Sequence, residues 1–420
     1  MKIKVTEKSY DEVLSLPPRG HKMPIKQTMF WRRVLKAFSE PELKQVGFTC
    51  EKIGMDALDN DTPCLILMNH SSFIDLKIAS CVLFPRQFHI VCTNDGFVGK
   101  EDLMRKIGCI PTKKFISDPT LIKYMRATLK KLNSSVLMYP EASYSFDGTA
   151  TPLPDSIGKL LKLLGVPVVM IKTEGAFLRD PLYNGLKLRD VKVSATMEYL
   201  LSPETIKEKS VEELNAILKD KFTFDHFRQQ YNNQIPVKED FRGEGLERVL
   251  YKCPNCGAEG KMLSSGIGIK CTSCNKSYEL TEYGKLQAAF GPTEYEFIPD
   301  WYKWERECVK KELSDGTYRL DTPVDIMMLV DYKSIYKVGE GNLLHTCDGF
   351  HLTGCDGKLD YKQQPESSYS LYSDYYWYEI GDMISIGDAK TQFYCFPKGE
   401  EVVVAKARLA TEELFKMRQK

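Results

Sequence analysis

The sequence has no apolar run of the roughly 20 residues that a membrane-spanning helix needs. Its most apolar stretch, residues 64–85, is interrupted by Asn69, His70, Asp75 and Lys77. The first residues, MKIKVTEKSYDEV, lack the apolar core of a signal peptide. We therefore expect a cytoplasmic protein that works at the inner membrane surface.

The chain also has little net charge and few cysteines for its length. A formal net charge of +1 over 420 residues argues against a bulk nucleic-acid binder, so we expect no nucleic acid as a partner. Thirteen cysteines are too sparse for a disulfide scaffold, and their odd number prevents complete pairing. Reduced thiols fit this composition better. The length allows two or three domains.

Three regions of the sequence differ in pattern. After an N-terminal segment, residues 1–27, residues 28–235 alternate short apolar runs with helical periodicity. Short apolar strands separated by helices are typical of an α/β domain whose central sheet is buried between flanking helices. The predicted strands are Cys64–Met68, His89–Cys92, Val136–Tyr139 and Val166–Ile171.

The second region, residues 247–285, contains two Cys-x-x-Cys pairs separated by fourteen residues. Two such pairs at this distance are typical of a tetrahedral four-cysteine zinc site, a zinc ribbon. The predicted ligands are Cys253, Cys256, Cys271 and Cys274. Because protein side chains fill all four positions, the zinc would be structural. Redox-active cysteine pairs are the alternative.

The third region, residues 318–420, follows a predicted connecting helix at 299–314 and is rich in β-like runs. The predicted elements are the strands Ile326–Val330, Gly349–Leu352, Tyr376–Ile380 and Gln392–Phe396, and a final helix Glu401–Met417. Short strands followed by one helix predict a small β-rich domain with a C-terminal helix. In its element order, this domain is similar to pleckstrin-homology-like modules.

A candidate catalytic pair follows directly after the first predicted strand. The segment reads Asn69-His70-Ser-Ser-Phe-Ile-Asp75. If the chain turns into a helix here, the Asp75 carboxylate can reach the imidazole Nδ1 of His70 and leave Nε2 free as a general base. The carboxylate would also stabilise the imidazolium that forms. On spacing alone, a capping aspartate and a partly buried structural histidine are the commoner explanation.

Three later segments favour the catalytic interpretation of His70 and Asp75 over the structural one. Gly108–Lys114 is an apolar stretch that ends in adjacent lysines, Tyr139–Ser143 follows a predicted strand, and Val166–Ile171 is itself a predicted strand. In this order the four segments resemble the blocks of the glycerolipid acyltransferase superfamily, whose best-known branch acylates 1-acyl-glycerol-3-phosphate. The resemblance implies that the first region is an α/β acyltransferase domain.

The resemblance also implies an activity and roles for individual residues. A fatty acyl group would move from acyl-CoA or acyl-carrier protein to the free hydroxyl of a lysophosphatidate-like lysophospholipid. His70 would be the base, Asp75 would orient it, and one of two lysines would contact the phosphate. The implied substrate-binding residues are Lys113, Lys114, Glu141 and Ser143.

The sequence departs from the family pattern in three ways. Ala142 and Tyr144 stand where a glycine and an arginine are usual, the phosphate cation of the earlier block is lysine rather than arginine, and Met170 replaces a proline. The missing arginine removes an expected phosphate contact, which weakens the prediction of lysophosphatidate as the acceptor. The alternative function is a non-catalytic lipid- or protein-binding scaffold that retains the acyltransferase fold.

A segment near the N-terminus has the pattern of an interfacial helix. Helical periodicity places five apolar residues, Val34 among them, on one stripe, with cations mostly on the other side. The predicted membrane contacts are Phe30, Trp31, Leu35 and Phe38. This pattern predicts peripheral contact with a membrane. An ordinary amphipathic helix packed on its own domain is equally compatible with it.

Overall fold

The computed structural model describes residues 2–17, 20, 22–116, 118–399 and 403–419, which form twelve α-helices and nineteen β-strands. The helices are α1 (Tyr10–Leu14), α2 (Met29–Gln45), α3 (Asp75–Val82), α4 (Glu101–Lys106), α5 (Pro119–Lys130), α6 (Ile157–Leu164), α7 (Ala176–Arg179), α8 (Pro203–Glu208), α9 (Val211–Lys221), α10 (His226–Asn232), α11 (Ile298–Ser314) and α12 (Val404–Arg418). The strands are β1 (Val5–Glu7), β2 (Thr49–Ile53), β3 (Leu65–Met68), β4 (Phe88–Thr93), β5 (Cys109–Thr112), β6 (Ser135–Met138), β7 (Val168–Glu174), β8 (Ser194–Leu201), β9 (Met262–Ser265), β10 (Gly268–Cys271), β11 (Ser277–Leu280), β12 (Leu286–Ala288), β13 (Leu320–Met328), β14 (Ile335–Thr346), β15 (Gly349–Gly354), β16 (Leu359–Gln363), β17 (Tyr372–Trp377), β18 (Gly381–Gly387) and β19 (Gln392–Pro397). Within these ranges, no helix is both long and apolar enough to span a bilayer.

A mixed seven-stranded sheet forms the centre of the first region, in the order β2-β8-β7-β3-β6-β4-β5. The strands β3 to β7 run parallel to one another, and β8 pairs antiparallel with β7. Strand β3 lies in the middle, and all four of its residues are buried. A strand covered on both faces needs apolar side chains at every position, which explains its uninterrupted apolar sequence.

The two faces of this sheet pack into two separate cores. Ile66 and Met68 point into one core, which contains residues of α2 and α3. Leu65 and Leu67 point into the other, which contains residues of α5, α6 and α9. Successive side chains of a strand alternate between faces, so β3 contributes to both cores. The predicted central sheet flanked by helices is confirmed.

A four-stranded antiparallel sheet, β9 to β12, carries the second region. The four predicted ligand cysteines lie in the turns and strand ends of this sheet. Its inner face packs on the connecting helix α11, where the rings of Tyr278 and Trp301 meet edge to face at 5.0 Å. The Trp301 indole also donates a hydrogen bond to the Lys252 carbonyl at 2.9 Å. The cysteine-containing sheet is therefore attached to the rest of the chain through α11.

The third region is a sheet of seven antiparallel strands, in the order β16-β15-β14-β13-β19-β18-β17, with α12 as its C-terminal helix. The predicted β-rich region with a C-terminal helix is confirmed. The predicted strand Ile326–Val330 overlaps β13, which begins at Leu320, and β14, β16 and β18 were not predicted. The predicted strand Tyr376–Ile380 was wrong, because β17 ends at Trp377 and the chain turns before β18. Tyr378 and Glu379 have positive φ angles of 47° and 66° in that turn. The predicted start of the final helix, Glu401, lies outside the described residues.

The N-terminal strand β1 belongs to this third sheet. Val5 to Glu7 pair in parallel with Ile335 to Lys337 of β14, and the Thr6 and Ser334 hydroxyls lie 2.7 Å apart. The sequence carries no signal for this pairing, since β1 is short and mostly exposed.

The third sheet packs against the first region close to the candidate site. The Tyr332 hydroxyl donates to Asn94 Oδ1 at 2.7 Å, and the Tyr372 hydroxyl donates to Asp95 Oδ2 at 3.1 Å. The Tyr332 ring also stacks on Phe97 at 5.1 Å. The β-rich domain is therefore docked on the loop that follows β4.

Candidate active site

The site is built at the carboxyl ends of three neighbouring parallel strands, β7, β3 and β6. Directly after β3, the Asn69 side chain bonds the β7 backbone: its Oδ1 accepts the Thr173 N–H at 2.7 Å, and its Nδ2 donates to the Thr173 carbonyl at 3.3 Å. On the other side, the His70 N–H donates to Glu141 Oε2 at 3.0 Å. The parallel register of β3 and β6 brings these two loops together.

The His70 and Asp75 side chains make the contact expected from their spacing. His70 Nδ1 lies 3.0 Å from Asp75 Oδ2, and this oxygen also accepts the Ser71 and Ser72 N–H groups at 2.8 and 3.1 Å. Asp75 is the first residue of α3, so the carboxylate is fixed at the start of a helix. His70 Nε2 has no hydrogen bond to any described residue, and the side chain is 14% exposed. The free ring nitrogen can therefore serve as a base.

The protonation of this pair follows from its burial. Burial lowers the pKa of the His70 imidazole well below its usual value, and the nearby Lys114 charge lowers it further. Burial raises the pKa of the Asp75 carboxyl, while the Ser72 and Ser71 N–H groups oppose that rise. At neutral pH the imidazole is therefore neutral, which is the form that accepts a proton.

Two tyrosine rings cover the two faces of the His70 imidazole. The ring of Tyr139 lies at 3.9 Å and 18° to it, and the ring of Tyr144 lies at 3.9 Å and 29° on the opposite face. The outer face of Tyr144 stacks on Phe73 at 5.3 Å. With both faces covered and Nδ1 bonded to Asp75, the imidazole is open only along the edge that carries Nε2.

Glu141 joins the loops that form the site. Its Oε1 accepts the Thr151 N–H at 3.0 Å and the Thr151 hydroxyl at 3.3 Å, and its Oε2 accepts the His70 N–H. Burial raises the pKa of the Glu141 carboxyl to about 7, against the effect of these donors. Both carboxylate oxygens therefore bond within the protein, and Glu141 acts on the shape of the site.

The two adjacent lysines have different surroundings. The Lys113 ammonium donates to the Asp388 and Ala389 carbonyls of the β-rich domain at 3.3 and 2.5 Å. The Lys114 ammonium has no hydrogen bond or ion pair with any described residue. It lies 4.4 Å from the Tyr372 ring centroid and 5.9 Å from that of Tyr144. Lys114 is therefore the cation placed beside His70 and available to a ligand.

Ser143, the remaining predicted substrate contact, is buried. Its hydroxyl donates to the Tyr144 carbonyl at 3.2 Å. Among the described residues, no hydrogen bond joins this hydroxyl to His70, Asp75 or Glu141. Ser143 therefore stabilises the loop that carries Tyr144.

The β-rich domain adds charge to this site. Asp374 lies two residues after Tyr372 on β17, and alternate residues of a strand point to the same side. Burial raises the pKa of the Asp374 carboxyl to about 7, and the Lys114 charge opposes that rise. Lys114 therefore lies in a mixed environment of aromatic rings and carboxyl groups from two domains.

The four predicted metal ligands cluster in space. The sulfur atoms of Cys253, Cys256, Cys271 and Cys274 all lie within 4.8 Å of one another. The Cys253–Cys274 and Cys256–Cys271 sulfur pairs are 3.7 and 3.8 Å apart. Four sulfurs bound tetrahedrally to one zinc at about 2.3 Å lie about 3.8 Å apart, so the cluster fits this ion.

A cavity of about 810 Å³ lies near the site but does not contain it. Its wall is formed by residues 149–155 with parts of α9 and α11, and it includes Thr151, which donates to Glu141. His70, Asp75 and Lys114 do not line it. The space for a reacting group is therefore the exposed edge of His70.

The aromatic residues of this site carry no recognisable functional pattern in the sequence. Tyr139 directly precedes the Pro140-Glu141 pair, and continuing the β3–β6 register places it opposite Met68, two residues before His70. Tyr144 was noted only as a departure from the family. The Tyr144 carbonyl accepts a hydrogen bond from Arg408 Nη1 at 3.2 Å, and no local pattern reveals that contact.

Comparison with known proteins agrees with this geometry. Residues 50–172 match the family model named Acyltransferase. This segment, which contains His70, Asp75 and Glu141, is therefore an acyltransferase domain, and its recognition as a member of the glycerolipid acyltransferase superfamily is confirmed. A solved structure similar to this chain is the 1-acyl-sn-glycerophosphate (LPA) acyltransferase PlsC from Thermotoga maritima, at 16% identity and a TM-score of 0.36, over 46% of this chain and 76% of that chain. No curated protein sequence matches the chain.

Proposed function

We propose that this chain transfers a fatty acyl group from a thioester, acyl-CoA or acyl-carrier protein, to the free hydroxyl of a lysophosphatidate-like lysophospholipid. The observation that carries the proposal is the His70–Asp75 pair, with Nδ1 bonded at 3.0 Å and Nε2 free. The acyltransferase family match over residues 50–172 supports the reaction class.

The proposed reaction uses His70 twice. Nε2 takes the proton of the acceptor hydroxyl while the oxygen attacks the thioester carbonyl, and the Asp75 carboxylate stabilises the imidazolium that forms. The tetrahedral intermediate then expels the thiolate, and Nε2 of the imidazolium gives its proton to that thiolate. The products are the diacyl lipid and the free thiol, and His70 is neutral again.

We assign the acceptor phosphate to Lys114. Its ammonium is close enough to His70 to lower the pKa of the imidazole, and no described carboxylate neutralises it by a direct ion pair. Lys113 is a weaker candidate, because two backbone carbonyls already hold its ammonium. Glu141 and Ser143 would act by shaping the loops around the acceptor.

We further propose that α2 rests on the cytoplasmic surface of a membrane. Phe30 and Phe38 are 65% and 75% exposed. Trp31 and Leu35 of the same helix are partly buried. Lys77, whose ammonium pairs with Glu42, lies over the Phe38 ring at 5.6 Å. An enzyme acting on membrane lipid needs such a surface.

A structural zinc ion is the third part of the proposal. Cys253, Cys256, Cys271 and Cys274 would hold it, and the first residue after each cysteine pair supports the required turn. Gly257 and Asn275 have positive φ angles of 76° and 62°. With four protein ligands the ion would activate no water.

The test is an acyl-transfer assay with purified protein, labelled acyl-CoA or acyl-carrier protein, and a panel of lysophospholipids. We expect transfer to at least one acceptor and a loss of about 10²–10⁴-fold in His70→Ala. The control is His351→Ala, which removes an exposed histidine that pairs with Asp360 in the β-rich domain. If the wild-type chain is inert with every acceptor and both donors, the scaffold alternative replaces the enzyme.

A further inference from the structure

The loop after β6 places an aromatic ring on each side of the catalytic imidazole. Tyr139 and Tyr144 are five residues apart, and the chain reverses between them, where the Ala142 N–H donates to the Tyr139 carbonyl at 3.0 Å. Ala142 has a φ of 54°, in the left-handed region that residues with a side chain rarely adopt. The loop thus adopts an unfavourable backbone conformation. This conformation turns the chain back so that the Tyr144 ring covers His70.

Contacts from the β-rich domain hold Tyr144 in this position. Arg408 of α12 is buried, and its Nη1 donates to the Tyr144 carbonyl at 3.2 Å. The guanidinium is itself fixed, since it lies 4.3 Å from the Phe146 ring centroid and its Nε donates to Glu412 at 3.3 Å. The backbone of Tyr144 is therefore bonded to a helix more than 260 residues further along the chain.

We propose that Tyr144, opposite Tyr139, is a positioning residue that holds the His70 ring with its Nε2 edge toward the acceptor, and that the β-rich domain maintains this arrangement through Arg408. A single hydrogen bond to Asp75 leaves the imidazole free to tilt about that bond, whereas rings at 3.9 Å on both faces prevent it. The rings also keep water from both faces. This proposal rests on the proposed function, because it concerns the same base.

The experiment compares Tyr144→Phe, which keeps the ring, with Tyr144→Ser and Tyr144→Leu, which remove it. Acyl transfer is measured as a function of pH with kcat and KM separated. Independently, the His70 imidazole is titrated by NMR in the ¹⁵N-histidine-labelled full chain, with His70→Gln to assign its signal. Arg408→Met, which removes the donor to Tyr144, is measured in the same way.

We expect Tyr144→Phe to keep kcat within about twofold of the wild type, because the stacked ring is retained. Tyr144→Ser and Tyr144→Leu should lower kcat by about tenfold or more and change the acceptor KM by less than about threefold, because the base is misplaced while the acceptor contacts remain. Arg408→Met should lower kcat by a smaller factor in the same direction.

The titration gives a second, independent outcome. Opening one face to water in Tyr144→Ser should move the pKa of His70 up toward the ordinary histidine value of about 6.5, and the acid limb of the rate profile should move up with it. The other titratable groups around His70 and its rings are unchanged in this variant. They are Asp75 and Asp180 near the β3 loop, Cys92 and Asp95 near β4, Lys114 after β5, Glu141 and Tyr139 after β6, and Tyr372, Asp374 and Arg408 of the β-rich domain.

Several results would overturn the proposal. One is an unchanged His70 titration and an unchanged kcat in both ring-removing variants. Another is an equal loss in Tyr144→Phe, which would assign the role to the hydroxyl. If Tyr144→Ser fails to fold, Tyr144→Leu and Arg408→Met decide. If the wild-type chain transfers no acyl group, the proposed function fails, while the NMR titration still decides whether the rings control His70.

Discussion

The cysteine cluster and the His70 site differ in how much of the chain builds them. All four sulfurs of the cluster come from residues 253–274, in two turns of one small sheet. The His70 site takes its base from the loop after β3, its cation from the loop after β5, and its covering ring from the loop after β6. A helix at the other end of the chain then fixes that ring through Arg408.

This difference separates two kinds of dependence. The cysteine cluster takes all four of its proposed ligands from two nearby turns, and a structural zinc bound there would contribute folding free energy directly. The geometry of the His70 site needs the sheet of the first domain and the docked β-rich domain together. Substitutions in one place should therefore have little effect in the other, and the following changes test that separation.

The largest effect is expected from Asp75→Asn. The amide can donate to Nδ1 of His70, which would place the ring proton on Nε2 and remove the base, so kcat should fall by about 10²–10⁴-fold. Steady-state acyl transfer at saturating acceptor measures it. The control is Asp360→Asn, which alters the exposed His351–Asp360 pair, with a distance of 2.8 Å, and should leave kcat unchanged. A variant that retains a tenth of the wild-type kcat would contradict a catalytic pair.

A smaller effect is expected from Lys114→Met. The loss of a charge-assisted hydrogen bond of about 1.5–3 kcal/mol should raise the KM for a phosphate-bearing acceptor by about 10–100-fold. Lys113→Met is the matched control, because its ammonium already bonds two carbonyls, and its KM should change by less than about threefold. Equal changes in the two variants would remove the assignment of Lys114.

Membrane binding should respond to a double substitution on α2. Phe30→Ser with Phe38→Ser removes the two most exposed aromatic side chains of the helix, and binding to anionic vesicles should fall by about tenfold. Flotation with vesicles measures it. Leu188→Ser with Leu263→Ser removes two side chains that are each 62% exposed elsewhere and should not change binding. Equal flotation of both variants would refute the contact through α2.

The smallest effect on the His70 site is expected from Cys256→Ser. Zinc content, measured by elemental analysis, should fall from about one ion per chain to none, because one of four ligands is lost. The melting temperature should fall, while kcat below the transition changes by less than about threefold. Cys50→Ser, which alters a cysteine outside the cluster, should keep the zinc. A hundredfold loss of kcat in Cys256→Ser would show that the two regions depend on each other.

The same contrast, between a site built from nearby residues and one built from distant segments, explains which features the sequence could predict. The strands β3 and β7 were found because they are buried on both faces and read as apolar runs. The cysteine cluster and the His70–Asp75 contact were found because their residues are close in sequence. The outer strands β2 and β8 were not, since many of their residues are exposed or half-buried and their sequence is mixed.

Contacts between distant segments carry no local signal. Nothing near Arg408 indicates that it donates to Tyr144, and nothing near Tyr372 indicates that it lies against Lys114. Such contacts join segments that share one hydrophobic core, which contains residues of the first region, the cysteine-containing sheet, α11 and the β-rich sheet. The sequence therefore predicts a candidate base, and the structure is needed to see what holds its ring.

The pairing of β1 with β14 has a consequence for the order in which the protein is completed. Val5 cannot pair until Ile335 has been synthesised. The β-rich sheet therefore lacks β1 until β14 has left the ribosome. The sheet of the first domain can be completed earlier in synthesis, since all of its strands end by Leu201. During synthesis the His70 loop therefore exists before Arg408 can donate to the Tyr144 carbonyl. The His70 and Asp75 side chains can thus come together before α12, which bonds the Tyr144 backbone through Arg408, has been synthesised.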